Sequence, residues 1–129
     1  MSGVGGRVRG FGELEAVIMD RLWTWGGTAT VRDVVDSLQP DRNSAYTTVM
    51  TVMDNLYHKG SLTRERDGRA WRYQPTQTRE EYSAHLMREA LDTSPATDMV
   101  LTHFVEHMTD EESQTLRAAL RRLSRKRRT

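Results

Sequence analysis

The chain has 129 residues, room for one compact domain or a small domain with an appendage. Hydrophobic residues make up 36% and charged residues 29%, which leaves little apolar surface for a deep monomeric core and points either to disorder or to burial against a second copy. There is no cysteine, so disulfides and thiolate metal sites are excluded. No run approaches the roughly 20 apolar residues of a membrane span, and no apolar segment follows Arg7 and Arg9 as a secretory leader would need. The expected compartment is therefore the cytoplasm, without membrane insertion. Net charge is only +1, so the distribution of charge matters more than its sum. Arg121, Arg122, Arg125, Lys126, Arg127 and Arg128 crowd the C-terminus without an acid among them, and Arg64, Arg66, Arg69 and Arg72 cluster in the middle of the chain.

Residues 1–10 are rich in glycine and read as a flexible arm. A first helix is expected over about residues 13–23, with Leu14, Val17, Ile18 and Leu22 on one stripe and Gly26-Gly27 as its stop. Thr30 with Asp33 resembles a capping box opening a second helix, whose buried face is Val31, Val34, Val35 and Leu38. Pro40-Asp41-Arg42-Asn43 breaks it. Ser44 is a good N-cap for a third helix that stops before Gly60. Val49, Val52, Met53 and Leu56 share its narrow apolar face; Thr47, Thr51, Asp54 and His58 lie opposite. A solvated helix face usually carries Lys and Glu, so Thr47, Thr48 and Thr51 ask for a reason. Met50 is read as a packing residue, as is Trp71 in the next segment.

Asp67-Gly68 between two strand-like runs is a strong hairpin signal. Placing that pair in the turn sets Leu62 opposite Tyr73 and Arg64 opposite Trp71, close enough for a cation–π contact, with Arg66 and Arg69 at the tip. Thr78 with Glu81 opens a fourth helix carrying Tyr82, Leu86, Ala90 and Leu91. Ser94-Pro95 reads as a cap with proline in the first turn of a fifth, which carries Val100, Leu101, Phe104, Val105 and Met108. Thr109 with Glu112 opens a sixth, with Leu116, Ala119, Leu120 and Leu123 as its stripe.

Three helices followed by a β-hairpin is the order of a winged helix-turn-helix. The expected fold is mainly α with a small β-hairpin: an N-terminal winged helix-turn-helix plus a C-terminal helical dimerisation region. The expected parts are a flexible arm at 1–10, a DNA-binding domain at 11–75, a dimerisation domain at 76–124 and a basic tail at 125–129. In such a motif the second helix enters the major groove. Threonine hydroxyls bond bases or phosphates and their methyls meet the thymine methyl, while arginines at a hairpin tip suit the DNA backbone or the adjacent minor groove. The plain alternatives are a threonine-rich surface and a solvated hairpin; the terminal basic run reads as a solubilising tail.

These residues resemble a known family. Phe11-Gly12-Glu13-Leu14-Glu15 leading into Val17-Ile18-Met19-Asp20-Arg21-Leu22-Trp23, and Thr30-Val31-Arg32-Asp33-Val34, are similar to the first two helices of the BlaI/MecI penicillinase-repressor family. The run from Ala45 through Leu56 with Lys59-Gly60 is similar to the recognition helix of actinobacterial members, and the run from Arg64 through Tyr73 to their wing. The resemblance extends over about residues 11–124 and is most specific in the first 75. It implies a homodimeric transcriptional repressor on palindromic, double-stranded operator DNA near β-lactamase or cell-envelope stress genes, hence a link to antibiotic resistance. Ser44, Tyr46, Thr47, Thr48, Thr51, Arg64, Arg66 and Arg69 become the expected DNA-binding residues. Val100, Phe104, Val105, Leu116, Leu120 and Leu123 become the expected dimerisation residues. In the best-known members a membrane sensor metalloprotease cuts an Asn-Phe bond; the aligned pair here is His103-Phe104, which keeps the Phe and lacks the Asn. The copper-responsive branch carries a C-terminal cysteine cluster, which this chain lacks.

Other classes compete with this reading. His103-Phe104-Val105-Glu106-His107 spells the H-x-x-E-H pattern of a zinc protease family, but a catalytic zinc needs a third protein ligand and a cleft. The expectation is no enzyme, no metal and no cofactor, with the two histidines flanking an apolar stripe. A small-molecule-responsive MarR-type regulator is the nearer alternative, and a winged helix used only for protein contact the more remote one.

Overall fold

The structure, a computed structural model, describes residues 10–39 and 44–128. Apart from Gly10, the expected N-terminal arm lies outside the described residues, as do Pro40-Asp41-Arg42-Asn43 and Thr129. Among the described residues the order is α1 (Glu13–Trp25), α2 (Val31–Leu38), α3 (Tyr46–His58), β1 (Leu62–Asp67), β2 (Ala70–Pro75), α4 (Arg79–Asp92), α5 (Thr97–Glu106) and α6 (Asp110–Arg128). This is the mainly helical fold with one hairpin that the hydrophobic periodicity implies. The chain divides into two compact units, Met1–Ala84 and His85–Thr129, with the boundary inside α4.

Local chemistry fixes most element ends. The Glu15 carboxylate accepts from the Gly12 amide at 2.9 Å, and α1 runs two residues further than its stripe requires before Gly26 ends it at φ +77°. The expected capping boxes form. Thr30 Oγ1 accepts from the Asp33 amide and the Asp33 carboxylate from the Thr30 amide, at 3.1 and 3.0 Å. Thr78 with Glu81 and Thr109 with Glu112 repeat the pattern. Two caps differ from expectation. Ser44 is not the N-cap of α3: the first helical bond runs from the Val49 amide to the Ala45 carbonyl, so Ala45 holds that position and makes no side-chain cap. Ser44 stands one residue too early to reach the orphan amides. Ser94 Oγ likewise accepts from the Ala96 amide at 3.1 Å, a local turn of its own, and Pro95 precedes α5 rather than sitting in its first turn.

The hairpin register is a second correction. The strands pair Leu62 with Pro75, Arg64 with Tyr73 and Arg66 with Trp71, closing at Asp67–Ala70 around Gly68 and Arg69. Only Gly68 has positive φ, +63°, which is the turn form with glycine at the first central position rather than the form that would need it at Asp67 too. The slip is two residues on one strand, and side chains alternate with period two, so each keeps its face. Leu62 and Tyr73 are therefore still buried. A bridge invisible to periodicity, Ala29 to Tyr73 with N–O distances of 3.0 and 2.8 Å, ties the segment before α2 to β2.

Among the described residues the buried core lies entirely in the first unit. Ile18, Leu22, Val34, Leu38, Val49, Met53, Leu56, Leu62 and Tyr73 close on one another. The start of α4 is fastened to α1: Arg79 pairs with Asp20 at 2.7 Å, the Trp23 indole donates to the Gln77 carbonyl at 2.9 Å, and Tyr82 stacks on Phe11. In the second unit no described residue is buried. The basic run Arg125–Arg128 continues α6 as its last turn.

Candidate nucleic-acid interface

The face of α3 turned from the core carries Tyr46, Thr47, Thr48, Met50 and Thr51, all exposed. Met50 is 42% exposed and so belongs to this face instead of the packing. Met50 directly follows Val49 and so sits about 100° round the helix from it, beyond the narrow core face that Val49, Met53 and Leu56 fill. Ala45 leaves the first amides of α3 without a side-chain acceptor, so the helix start offers donors and positive dipole to an anion. Arg32 of α2 lies 4.8 Å from the Tyr46 ring centroid, which steadies Tyr46 at the edge of this face. Sequence reading passed over Arg32; the available signal was its place on the polar side of α2, next to the buried Val31 in the chain but about 100° round the helix from it.

Four arginines on the hairpin divide into two pairs by their partners. The Arg64 guanidinium lies 4.0 Å from the Tyr57 ring centroid and 4.3 Å from that of Trp71, and Nη1 donates to Asp54 Oδ1 at 3.1 Å. This clamp joins the middle of α3 to the hairpin, and it puts Asp54 to internal use, together with His58, whose Nδ1 is 2.8 Å from the Asp54 carbonyl. Tyr73, then Asp54 and Tyr57, raise the Arg64 pKa above its ordinary value despite desolvation, so the clamp holds a permanent cation. Arg72 donates to Thr28 Oγ1 at 3.0 Å and lies 3.6 Å from Asp67. Arg66, in contrast, rests on Trp71 at 4.6 Å, and neither Arg66 nor Arg69 has a carboxylate partner among the described residues. Tyr46, Thr47, Thr48, Thr51, Arg66 and Arg69 are thus all exposed in one unit, while Arg64 is turned inward.

At the base of α3, Lys59 Nζ meets both Glu15 oxygens at 2.9 Å. Burial alone would raise the Glu15 carboxyl; the Lys59 hydrogen bond, the Gly12 amide and the Lys59 charge outweigh it and hold the pKa below its ordinary value. This pair ties the C-terminus of α3 to α1.

In the second unit, Phe104, Val105, Leu120 and Leu123 are exposed, Phe104 to 50% and Leu120 to 57%, while Val100 and Leu116 are half-buried. Phe104, Met108, Leu116 and Ala119 floor an open groove of about 830 Å³ rimmed by His103 and His107. His103 pairs with Glu106 at 3.4 Å and His107 Nδ1 lies 2.9 Å from the His103 carbonyl. Among the described residues no three His, Asp or Glu side chains are placed to hold a metal ion, and no helix is long and apolar enough to cross a membrane.

Comparison with known proteins agrees with this architecture. The transcriptional regulator BlaI of Mycobacterium tuberculosis, in strains CDC 1551 / Oshkosh and ATCC 25618 / H37Rv, is 43% identical over 115 residues, covering 87% of this chain and 83% of its own length. The solution structure of the DNA-binding domain of the repressor BlaI superposes with a TM-score of 0.50 at 21% identity, covering 59% of this chain and 92% of that domain, which shows the shared winged-helix fold. Residues 11–122 match the family model described as penicillinase repressor, and with a match over most of its length the chain belongs to the penicillinase repressor family.

Proposed function

We propose that this chain is a homodimeric transcriptional repressor that reads palindromic operator DNA through the exposed face of α3 and holds the backbone through the hairpin. Its family makes it a DNA-binding regulator rather than an enzyme. The observation that carries the finer reading is the threonine face of α3, uncapped at its start, in the same unit as Arg66 and Arg69, the two hairpin arginines without carboxylate partners among the described residues. Thr47, Thr48 and Thr51 supply base contacts with Tyr46 beside them. Arg66 and Arg69 supply phosphate contacts, and Arg64 fixes the angle at which the hairpin leaves α3. Ser44, one residue before the cap, is left for a backbone contact. Residues 11–75 form the DNA-binding domain.

Residues 76–124 form the dimerisation domain. The second unit leaves Phe104, Val105, Leu120 and Leu123 about half in water, and burying the remainder of each against a second copy is worth about half of the 1.5–3 kcal/mol of a whole side chain. The regulated genes are those of β-lactamase or of the cell envelope, and relief of repression comes from a membrane sensor metalloprotease acting on the second unit. His103 and Phe104 are exposed but sit within α5, so cutting between them requires that helix to unwind locally.

The test is retention of genomic DNA fragments by the purified protein, followed by sequencing. A shared palindrome upstream of a few genes is the expected result, and it names the regulon. Retention without a shared motif refutes the base-reading role of α3.

A further inference from the structure

We infer that the C-terminal half of α6 is a second duplex-DNA surface, indifferent to sequence and separate from α3 and the hairpin. The inference rests on the reading that the chain binds DNA, and it adds a surface that reading does not use. At about 100° per residue, Arg117, Arg121, Arg125 and Arg128 fall within an arc of about 80° on one side of α6, spaced about 4.5–6 Å along the axis over roughly 16 Å. Leu116, Ala119 and Leu123 lie on the opposite side. All four arginines are exposed, and none is ion-paired among the described residues.

This ladder differs from an ordinary solvated helix end in its reach, its spacing and its share of the chain's charge. Cations near a helix C-terminus are favoured by the macrodipole, and Arg125 to Arg128 balance Asp110, Glu111 and Glu112 in the first turn; that effect fades within the last turn and does not reach Arg121 or Arg117. Like charges four residues apart weaken a helix, yet Arg117, Arg121 and Arg125 repeat that spacing twice. A polyanion laid along the ladder removes the repulsion. Finally, residues 121–128 carry six positive charges and no acid, while the rest of the chain holds 13 basic and 18 acidic side chains, a net −5. Without this end the chain offers DNA little long-range attraction beyond the local arginines of the hairpin. Duplex DNA, with one negative charge about every 1.7 Å of axis, matches a straight row of guanidinium groups. With the leucine stripe taken by a second copy, α6 keeps charge alone at its surface, which suits phosphate better than the acyl boundary of a bilayer.

The experiment uses the full chain with Arg117, Arg121, Arg125 and Arg128 all changed to Gln, a residue that keeps helix propensity, and a second variant with all four changed to Lys. Binding of a random-sequence duplex is followed by fluorescence anisotropy between 50 and 200 mM salt, with about 0.9 lost from the log–log salt slope for each phosphate contact removed. The Gln variant is expected to show a shallower slope and at least about tenfold weaker random-duplex binding at the upper salt, with helix content and dimer sedimentation unchanged. The Lys variant restores the slope. An unchanged slope in the Gln variant overturns the assignment. So does an unchanged slope accompanied by loss of retention on phosphatidylserine vesicles, which assigns the ladder to a membrane surface. A wild-type chain that binds no duplex at any salt overturns the DNA reading along with it.

Discussion

The two units carry apolar stripes of similar length and put them to different ends. In the first, α1, α2 and α3 close on the hairpin and bury Ile18, Leu22, Val34, Val49, Met53, Leu56 and Tyr73. In the second, α5 and α6 leave Phe104, Val105, Leu120 and Leu123 exposed, and no described residue there is buried. A stripe therefore announces burial without saying against what. The first unit has the residues to be stable alone; in the homodimer proposed above, the second becomes so by sharing its stripes. The sharpest way to break this comparison is Leu120→Asp. It is expected to give a monomer by sedimentation and, because each half-site must then be held singly, to lower operator affinity by roughly a hundred- to ten-thousand-fold. A variant that still sediments as a dimer places the interface elsewhere. Leu56→Ala acts on the other side of the comparison. It opens a cavity in the first unit and costs about 2–5 kcal/mol in urea unfolding, independent of protein concentration, whereas any stability lost at Leu120 varies with concentration.

Within the first unit the comparison moves to the two halves of the interface. Thr47→Ala or Thr51→Ala is expected to cost about 1–3 kcal/mol on the operator and less on random duplex; equal loss on both removes these residues from base reading. Arg64→Ala tests positioning. It leaves Asp54 without its cation and Tyr57 and Trp71 without the plane between them. Backbone amides of β1 and β2 should then exchange faster, and operator selectivity should fall with the salt slope nearly unchanged, since Arg66 and Arg69 remain. Arg64→Lys keeps a charge near Asp54 but cannot lie flat between two rings, so it should recover only part. A drop in salt slope on Arg64→Ala makes Arg64 a phosphate contact after all.

Sequence alone reached the helices, their order and the hairpin, because capping boxes and 3.6-residue periodicity are local. Thr30 with Asp33, Thr78 with Glu81 and Thr109 with Glu112 needed nothing from elsewhere in the chain. What it missed depended on tertiary context. The turn slipped to Gly68 and Arg69 because one glycine satisfies a turn that needs a single positive φ. The slip left the Arg64–Trp71 contact intact, since both side chains kept their face. Arg64 counted as a surface arginine because nothing local places Tyr57 and Asp54 beside it. Met50 was assigned to packing because an apolar residue on a helix is usually buried, and only the filled core beneath Val49 and Met53 shows that it is not. The Ala29–Tyr73 bridge is a single pair and leaves no period to read.

The smallest expected effect concerns Glu15 and Lys59, the pair that ties the end of α3 to α1. Its Glu15 pKa is held below the ordinary value of 4.5. The unfolded chain therefore binds this proton more readily than the folded one, and the pair's contribution is fully present above 4.5, declines as the pH falls, and is gone below the folded value. Lys59 is half exposed, so solvent screens the pair and the effect is small. Thermal unfolding of the first unit should accordingly lose stability as pH drops through the carboxylate range, and Glu15→Gln should flatten that loss while lowering stability slightly at neutral pH. The second unit has His85–Glu89, Arg88–Asp92 and His103–Glu106 as exposed pairs on single helices, none of which joins one element to another. Acid should then loosen the joint between α1 and α3 before it alters the helices of the second unit. If Glu15→Gln leaves the acid limb unchanged, Lys59 and Glu15 meet only at the surface, and the orientation of α3 rests on the apolar contacts of Val49, Met53 and Leu56 alone.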